Sequence, residues 1–117
     1  MSGAVSYHAG LAAEEIVARQ YEGEGYRILA RRWRGQGGEI DVIAARDAET
    51  VFVEVKASVT HAAAAWHLRP RQARRLLDAA AEYMGTLPAG QNSAVRFDVA
   101  LVDGQGRVEI LANAISA

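Results

Sequence analysis

The chain is predicted to be an α/β domain with a central mixed β-sheet flanked by helices, in the order αβββαβ with room for one further strand. Two neighbouring stretches, residues 39–44 and 51–56, alternate in the period-2 manner of strands, and the short polar run Arg46-Asp47-Ala48-Glu49 joins them as a hairpin. A helical pattern starting at Pro70 then separates Lys56 from an apolar strand at residues 95–102. A crossover of that length makes the two strands it connects parallel, with the usual right-handed hand. At 117 residues the chain can build one core but not two.

In order, the first helix is expected over residues 7–22, with Tyr7, Leu11, Ala12, Ile16, Val17 and Tyr21 apolar and Gly23 and Gly25 as its stop. Glu14 shares a face with Gly10, Val17, Ala18 and Tyr21, so it points to the packed side, where an unpaired carboxylate is costly. Glu15 lies with Arg19 and Glu22 and faces water, paired with Arg19 at i+4. Residues 26–33 read as the first strand, and Gly35-Gln36-Gly37-Gly38 as a turn into the hairpin. Residues 57–69 are poorly patterned and read as a loop over the site. Within it, His61 and His67 lack the spacing of metal ligands, and Trp66 is expected to be partly buried against the sheet, with base stacking as the other reading.

The second helix has Pro70 in its first turn and Pro88 beyond its end. Ala73, Leu76, Leu77, Ala80, Ala81 and Met84 form its apolar stripe, while Arg71, Arg74, Arg75, Asp78 and Glu82 occupy the other side. Those arginines are either a solvated face or a phosphate clasp. In the strand at 95–102, Arg96 and Asp98 share a face and read as a structural pair; a last strand follows at residues 107–111.

A turn centred between Asp47 and Ala48 sets the hairpin register: Asp41 opposes Glu54, Glu39 opposes Lys56, and all four project from one face. Directly opposed like charges destabilise a sheet, so the pair Asp41 and Glu54 calls for compensation. A divalent cation supplies it, because carboxylate oxygens suit hard ions such as magnesium or manganese, and such an ion can polarise a phosphodiester and activate water. The plainer alternative is a surface ion pair, Glu39–Lys56, beside two solvated carboxylates.

Composition narrows the choices. The chain has no cysteine, which removes disulfides, thiolate sites and a thiol nucleophile, and fits a reducing cytoplasm. No run approaches the length of a membrane span, and the first residues do not read as a signal peptide. Net charge is −1, so support for a nucleic-acid partner comes from local clusters, Arg27, Arg31, Arg32 and Arg34, then Arg69, Arg71, Arg74 and Arg75. Lys56 is the only lysine.

Four elements carry a resemblance: Gly10-Leu11-Ala12-Ala13-Glu14, Gly38-Glu39-Ile40-Asp41, Val51-Phe52-Val53-Glu54-Val55-Lys56, and Arg96-Phe97-Asp98-Val99. Together they resemble the YraN-like family of predicted bacterial endonucleases, within the PD-(D/E)xK nucleases that include restriction enzymes and Holliday-junction resolvases. The chain departs from that family at Ala57-Ser58, where a small residue and arginine are usual, and at Arg71, where lysine is usual. The resemblance implies a restriction-endonuclease-like core and a magnesium- or manganese-dependent endonuclease acting on DNA, with branched or structured DNA as the substrate. Asp41, Glu54, Glu14 and the Val55 carbonyl would hold the metal, and Lys56 would orient water and stabilise phosphate charge, tethered by Glu39. Arg34, Arg71, Arg74 and Arg75 would hold DNA, and resolvase-like relatives point to a homodimer. The alternative is a non-catalytic nucleic-acid- or protein-binding module that keeps the fold.

Overall fold

The computed structural model describes the backbone of residues 3–115 and the side chains of residues 12–115. Its elements are α1 (Gly3–Gly23), β1 (Arg27–Arg34), β2 (Glu39–Arg46), β3 (Glu49–Ala57), α2 (His61–Ala65), α3 (Pro70–Met84), a 3-10 turn at Gly90–Asn92, β4 (Val95–Val102) and β5 (Val108–Leu111). The strands lie side by side in chain order, antiparallel throughout except for the parallel pair β3–β4. This is the mixed sheet expected of a restriction-endonuclease-like core. Among the described residues no helix is long and apolar enough to cross a membrane.

Alternation along the strands divides the apolar side chains between two layers. Val42, Ala44, Val51, Val53, Ala100 and Val102 pack under α1 through Ala13, Val17 and Tyr21. Ile43, Phe52, Val99 and Leu101 pack on the other face against Leu76, Ala79, Ala80 and Met84 of α3 and Ala64 of α2. Each helix covers one side of a sheet that would otherwise expose a hydrophobic face. Tyr7 and Leu11 lie outside the residues whose side chains are described.

The predicted hairpin register is the observed one from Arg46–Glu49 as far as Val42–Val53, and the expected pairs Asp41–Glu54 and Glu39–Lys56 lie beyond the end of the ladder. Asp47 closes the two-residue loop at φ 55°, a left-handed conformation that aspartate tolerates better than most residues. Two expectations fail. Residues 57–69 are not a plain loop, because Thr60 caps the short helix α2 by accepting the Ala63 N–H at 3.1 Å. On α3, Ala79 is buried while Ala81 is exposed, so the stripe runs Leu76, Ala79, Ala80, Met84.

Asp98 is the structural residue its pattern suggested. It is fully buried and takes both Arg96 nitrogens at 2.8 Å, the Tyr21 hydroxyl at 2.7 Å and the Asn113 N–H at 2.9 Å. Burial alone would raise its pKa, but the Arg96, Asn113 and Tyr21 donors bring it below the ordinary value. The bond to Tyr21 ties β4 to α1, and so fixes the helix that carries Glu14.

Candidate metal centre

At one end of the sheet the β2–β3 ladder opens. Past Val42–Val53, the Asp41 carboxylate itself accepts the Val55 N–H at 2.8 Å. A residue in an extended strand points its N–H and C=O to the same edge, so the Val55 carbonyl also faces β2. Asp41, Glu39 and Glu54 line a hollow of about 290 Å³ whose far wall is Gln72 and Arg75 of α3. Glu14 approaches from α1, and one carboxylate oxygen each of Glu14, Glu39 and Asp41 lie within 4.8 Å of one another. Both helices therefore reach the same carboxylates, one from each face of the sheet.

The carboxylates are mostly shielded from water, Glu14 and Glu54 with side chains 13% exposed. Desolvation, then the nearby Asp41, raise the pKa of each from 4.5 to about 7. Asp41 is also raised, chiefly by burial, against the Val55 N–H and Lys56, which lower it. Three acids with raised pKa values, crowded beside Glu39, form a site short of positive charge.

Lys56 neutralises part of this, its Nζ standing 3.2 Å from Glu54 Oε1. Here the expected Glu39–Lys56 tether fails. The opening of the ladder beyond Val42 separates those two residues, and Glu39 pairs instead with Arg34 at 2.9 Å and with Arg32 at 3.8 Å. Arg32, at φ 49° inside β1, also reaches Glu14 at 3.9 Å. Glu15 faces out and binds Arg19 at 3.1 Å, as its helical position predicts.

Among the residues expected to touch DNA, Arg75 lines the carboxylate hollow and joins Arg34 in an adjoining one of about 240 Å³. Arg71 and Arg74 are exposed on the same helix, outside that hollow. The glycine turn serves α3 rather than an open surface: Gln36 and Gly37 N–H groups donate to Glu82 at 2.8 and 2.7 Å. A Cβ at Gly38 would stand 2.8 Å from the Arg75 carbonyl oxygen, so only glycine fits there. His61 is not among these acids; its Nε2 stands 2.9 Å from the Arg107 carbonyl oxygen and 3.9 Å from Asp103.

Glu39, expected at the site as the tether of Lys56, belongs with the carboxylates instead. One residue of the site, Gln72, carries no assignment to it in the sequence reading. Gln72 lies one turn before Leu76, where the apolar stripe of α3 would continue, and that polar interruption was the available signal. Its Oε1 is buried and has no hydrogen-bond partner among the described residues.

A profile of the uncharacterised protein family UPF0102 matches residues 13–102. The chain belongs to UPF0102. This is the YraN-like family to which the four sequence elements pointed. A UPF0102 protein of Cereibacter sphaeroides strain KD131 is 58% identical over the whole of both chains. One from Ruegeria pomeroyi is 54% identical over 96% of this chain and 91% of its own. The matched span contains every residue that lines the hollow, and Glu14 as well.

Proposed function

We propose that this chain is a divalent-cation-dependent endonuclease that hydrolyses DNA phosphodiesters. The observation that carries the reading is the gathering of Glu39, Asp41 and Glu54 around one hollow, with Glu14 within 4.8 Å of Glu39 and Asp41 and Lys56 beside Glu54. The donor set is all oxygen, crowded and negatively charged, which fits magnesium or manganese rather than a soft metal. A cation held there by Asp41 with Glu14, Glu39 or Glu54 would supply a Lewis acid for the phosphate and lower the pKa of a water.

The chain's own groups provide the rest. The Val55 N–H fixes the Asp41 carboxylate, with the Val55 carbonyl turned to the same edge. Lys56, three donors on a flexible stem, neutralises charge that develops on the phosphate and orients the attacking water. Gln72 contributes a free carbonyl oxygen at the far wall. Arg75 and Arg34 stand at the rim as phosphate partners. The resemblance to PD-(D/E)xK nucleases supports the same assignment.

A cleavage screen over branched, gapped and single-stranded DNAs with magnesium and manganese tests this. The parent should cut at least one substrate, and Asp41→Asn should abolish cutting while remaining folded. No cutting of any of these DNAs by the parent, or parental rates in Asp41→Asn, refutes the proposal.

A further inference from the structure

Trp66 is 75% exposed, contrary to the partial burial its sequence context suggested. It caps the C-terminus of α2 above a shallow hollow lined by Ala62, Ala65, Leu68 and Arg69. The other tryptophan, Trp33, is instead packed edge-on against Tyr83 with ring centroids 5.4 Å apart. A large apolar ring left in water beside small alanines is a surface shaped for a flat partner.

The charge around it narrows that partner. Arg69, Arg71, Arg74 and Arg75 are all exposed, and none forms an ion pair among the described residues. Elsewhere Arg19, Arg31, Arg34, Arg96 and Arg107 are each tied to a carboxylate. Fourteen acidic residues against thirteen basic ones mean that carboxylates are not scarce. Of the six arginines without an ion pair among the described residues, four lie at Arg69 and along α3, and the other two, Arg27 and Arg46, lie on the sheet. The surface also runs into the carboxylate hollow, since Arg69 lines the Trp66 hollow and Arg75 the acidic one. Arg69 is the N-cap of α3 and Arg75 lies six positions on, about 9 Å along the axis.

An aromatic face flanked by guanidinium groups matches an unpaired nucleotide, with the base on the indole and the phosphates on the arginines. Bases in a duplex are stacked on their neighbours and cannot offer a free face. We infer that Trp66, with Arg69, Arg71, Arg74 and Arg75, binds unpaired nucleotides next to the phosphodiester that is cut, so that the substrate is DNA with a single-stranded segment. The link to cutting rests on the nuclease reading above; the binding itself does not.

The test uses the metal-free protein, so that binding is measured without turnover. An oligothymidylate of about 20 nucleotides, longer than one domain covers, and a blunt duplex of equal length are titrated against the parent, Trp66→Ala and Trp66→Phe. Oligothymidylate should quench the parent's tryptophan fluorescence. Trp66→Ala should bind it roughly 5- to 100-fold more weakly, the range of one lost stacked base, with duplex affinity nearly unchanged. Trp66→Phe, which keeps an aromatic face, should retain most of the affinity. Parental oligothymidylate binding by Trp66→Ala overturns the inference, as does an equal loss for duplex. Asp41-dependent cutting with a silent Trp66→Ala would leave the nuclease and remove the single-strand site. Trp66-dependent binding with no cutting would do the reverse.

Discussion

Replacing Glu54 with glutamine removes one negative charge from a hollow that Glu14, Glu39 and Asp41 share. Glu54 titrates at about 7 in the folded chain against 4.5 ordinarily, raised by burial and by Asp41 even with Lys56 at 3.2 Å. At about 1.4 kcal/mol per pKa unit, holding this carboxylate ionised costs the native state up to roughly 3 kcal/mol. The sign follows from proton counts. Between pH 4.5 and about 7 the native state keeps a proton that the unfolded chain has released, so stability falls as pH rises through this window and then levels. Glutamine keeps the shape without the charge. Allowing for the partner that Lys56 loses, Glu54→Gln should be more stable than the parent by about 1–2 kcal/mol near pH 8, and equal to it near pH 4.5. At roughly 4 °C per kcal/mol this is a rise of about 4–8 °C in Tm.

Thermal melts across that pH range measure the effect, and repeating them with excess magnesium adds a second readout. Metal binding to the native state should raise the parent's Tm, increasingly so above pH 7 as the acids lose their protons. Glu54→Gln should gain much less from magnesium. A variant that melts below the parent at both pH limits would show that Glu54 and Lys56 act as a structural ion pair, and the reasoning from crowded charge would fail.

Lys56→Ala should lower the cleavage rate far more than it weakens metal binding, measured by titration calorimetry beside single-turnover assays; equal losses would make Lys56 a structural counter-ion. Changing Arg71, Arg74 and Arg75 together to alanine should cost little stability, since all three are exposed, and should flatten the salt dependence of oligothymidylate binding by about two units at about 0.7 per contact. An unchanged slope would give the face to solvent and move phosphate contact to the cluster around Arg34. Asp98→Asn removes the charge of a fully buried residue from its pair with the partly exposed Arg96 and should destabilise by about 2–3 kcal/mol in urea unfolding, and a loss below 1 kcal/mol would remove Asp98 as an anchor.

The hairpin was legible because two signals agree. Period-2 alternation marks the buried face, and a two-residue loop leaves one register that keeps it buried. Where that ladder ends was not legible. Pairing was extended to Glu39 and Lys56 because nothing in local alternation marks the point at which Asp41 takes the Val55 N–H in place of a backbone partner. α2 was missed for a related reason. Five residues, four of them alanine, are too short to show a helical period, although Thr60 stood in the sequence as a cap. Trp66 was misjudged because composition cannot say whether sheet surface remains to receive a ring.

Glu14 needed both kinds of information. Helical spacing puts it on the packed face with Tyr21, seven residues later, and that pairing explains how a carboxylate comes to stand beside Asp41. Tyr21 is held to β4 by the fully bonded Asp98, two turns along α1 from Glu14. One end of the helix face thus docks on a β4 acid whose hydrogen bonds are all made and whose pKa is lowered. The other end carries an acid whose pKa burial and the nearby Asp41 raise to about 7. The satisfied acid stabilises the docking of α1, and that docking holds the unsatisfied one where proton or cation binding is most favourable.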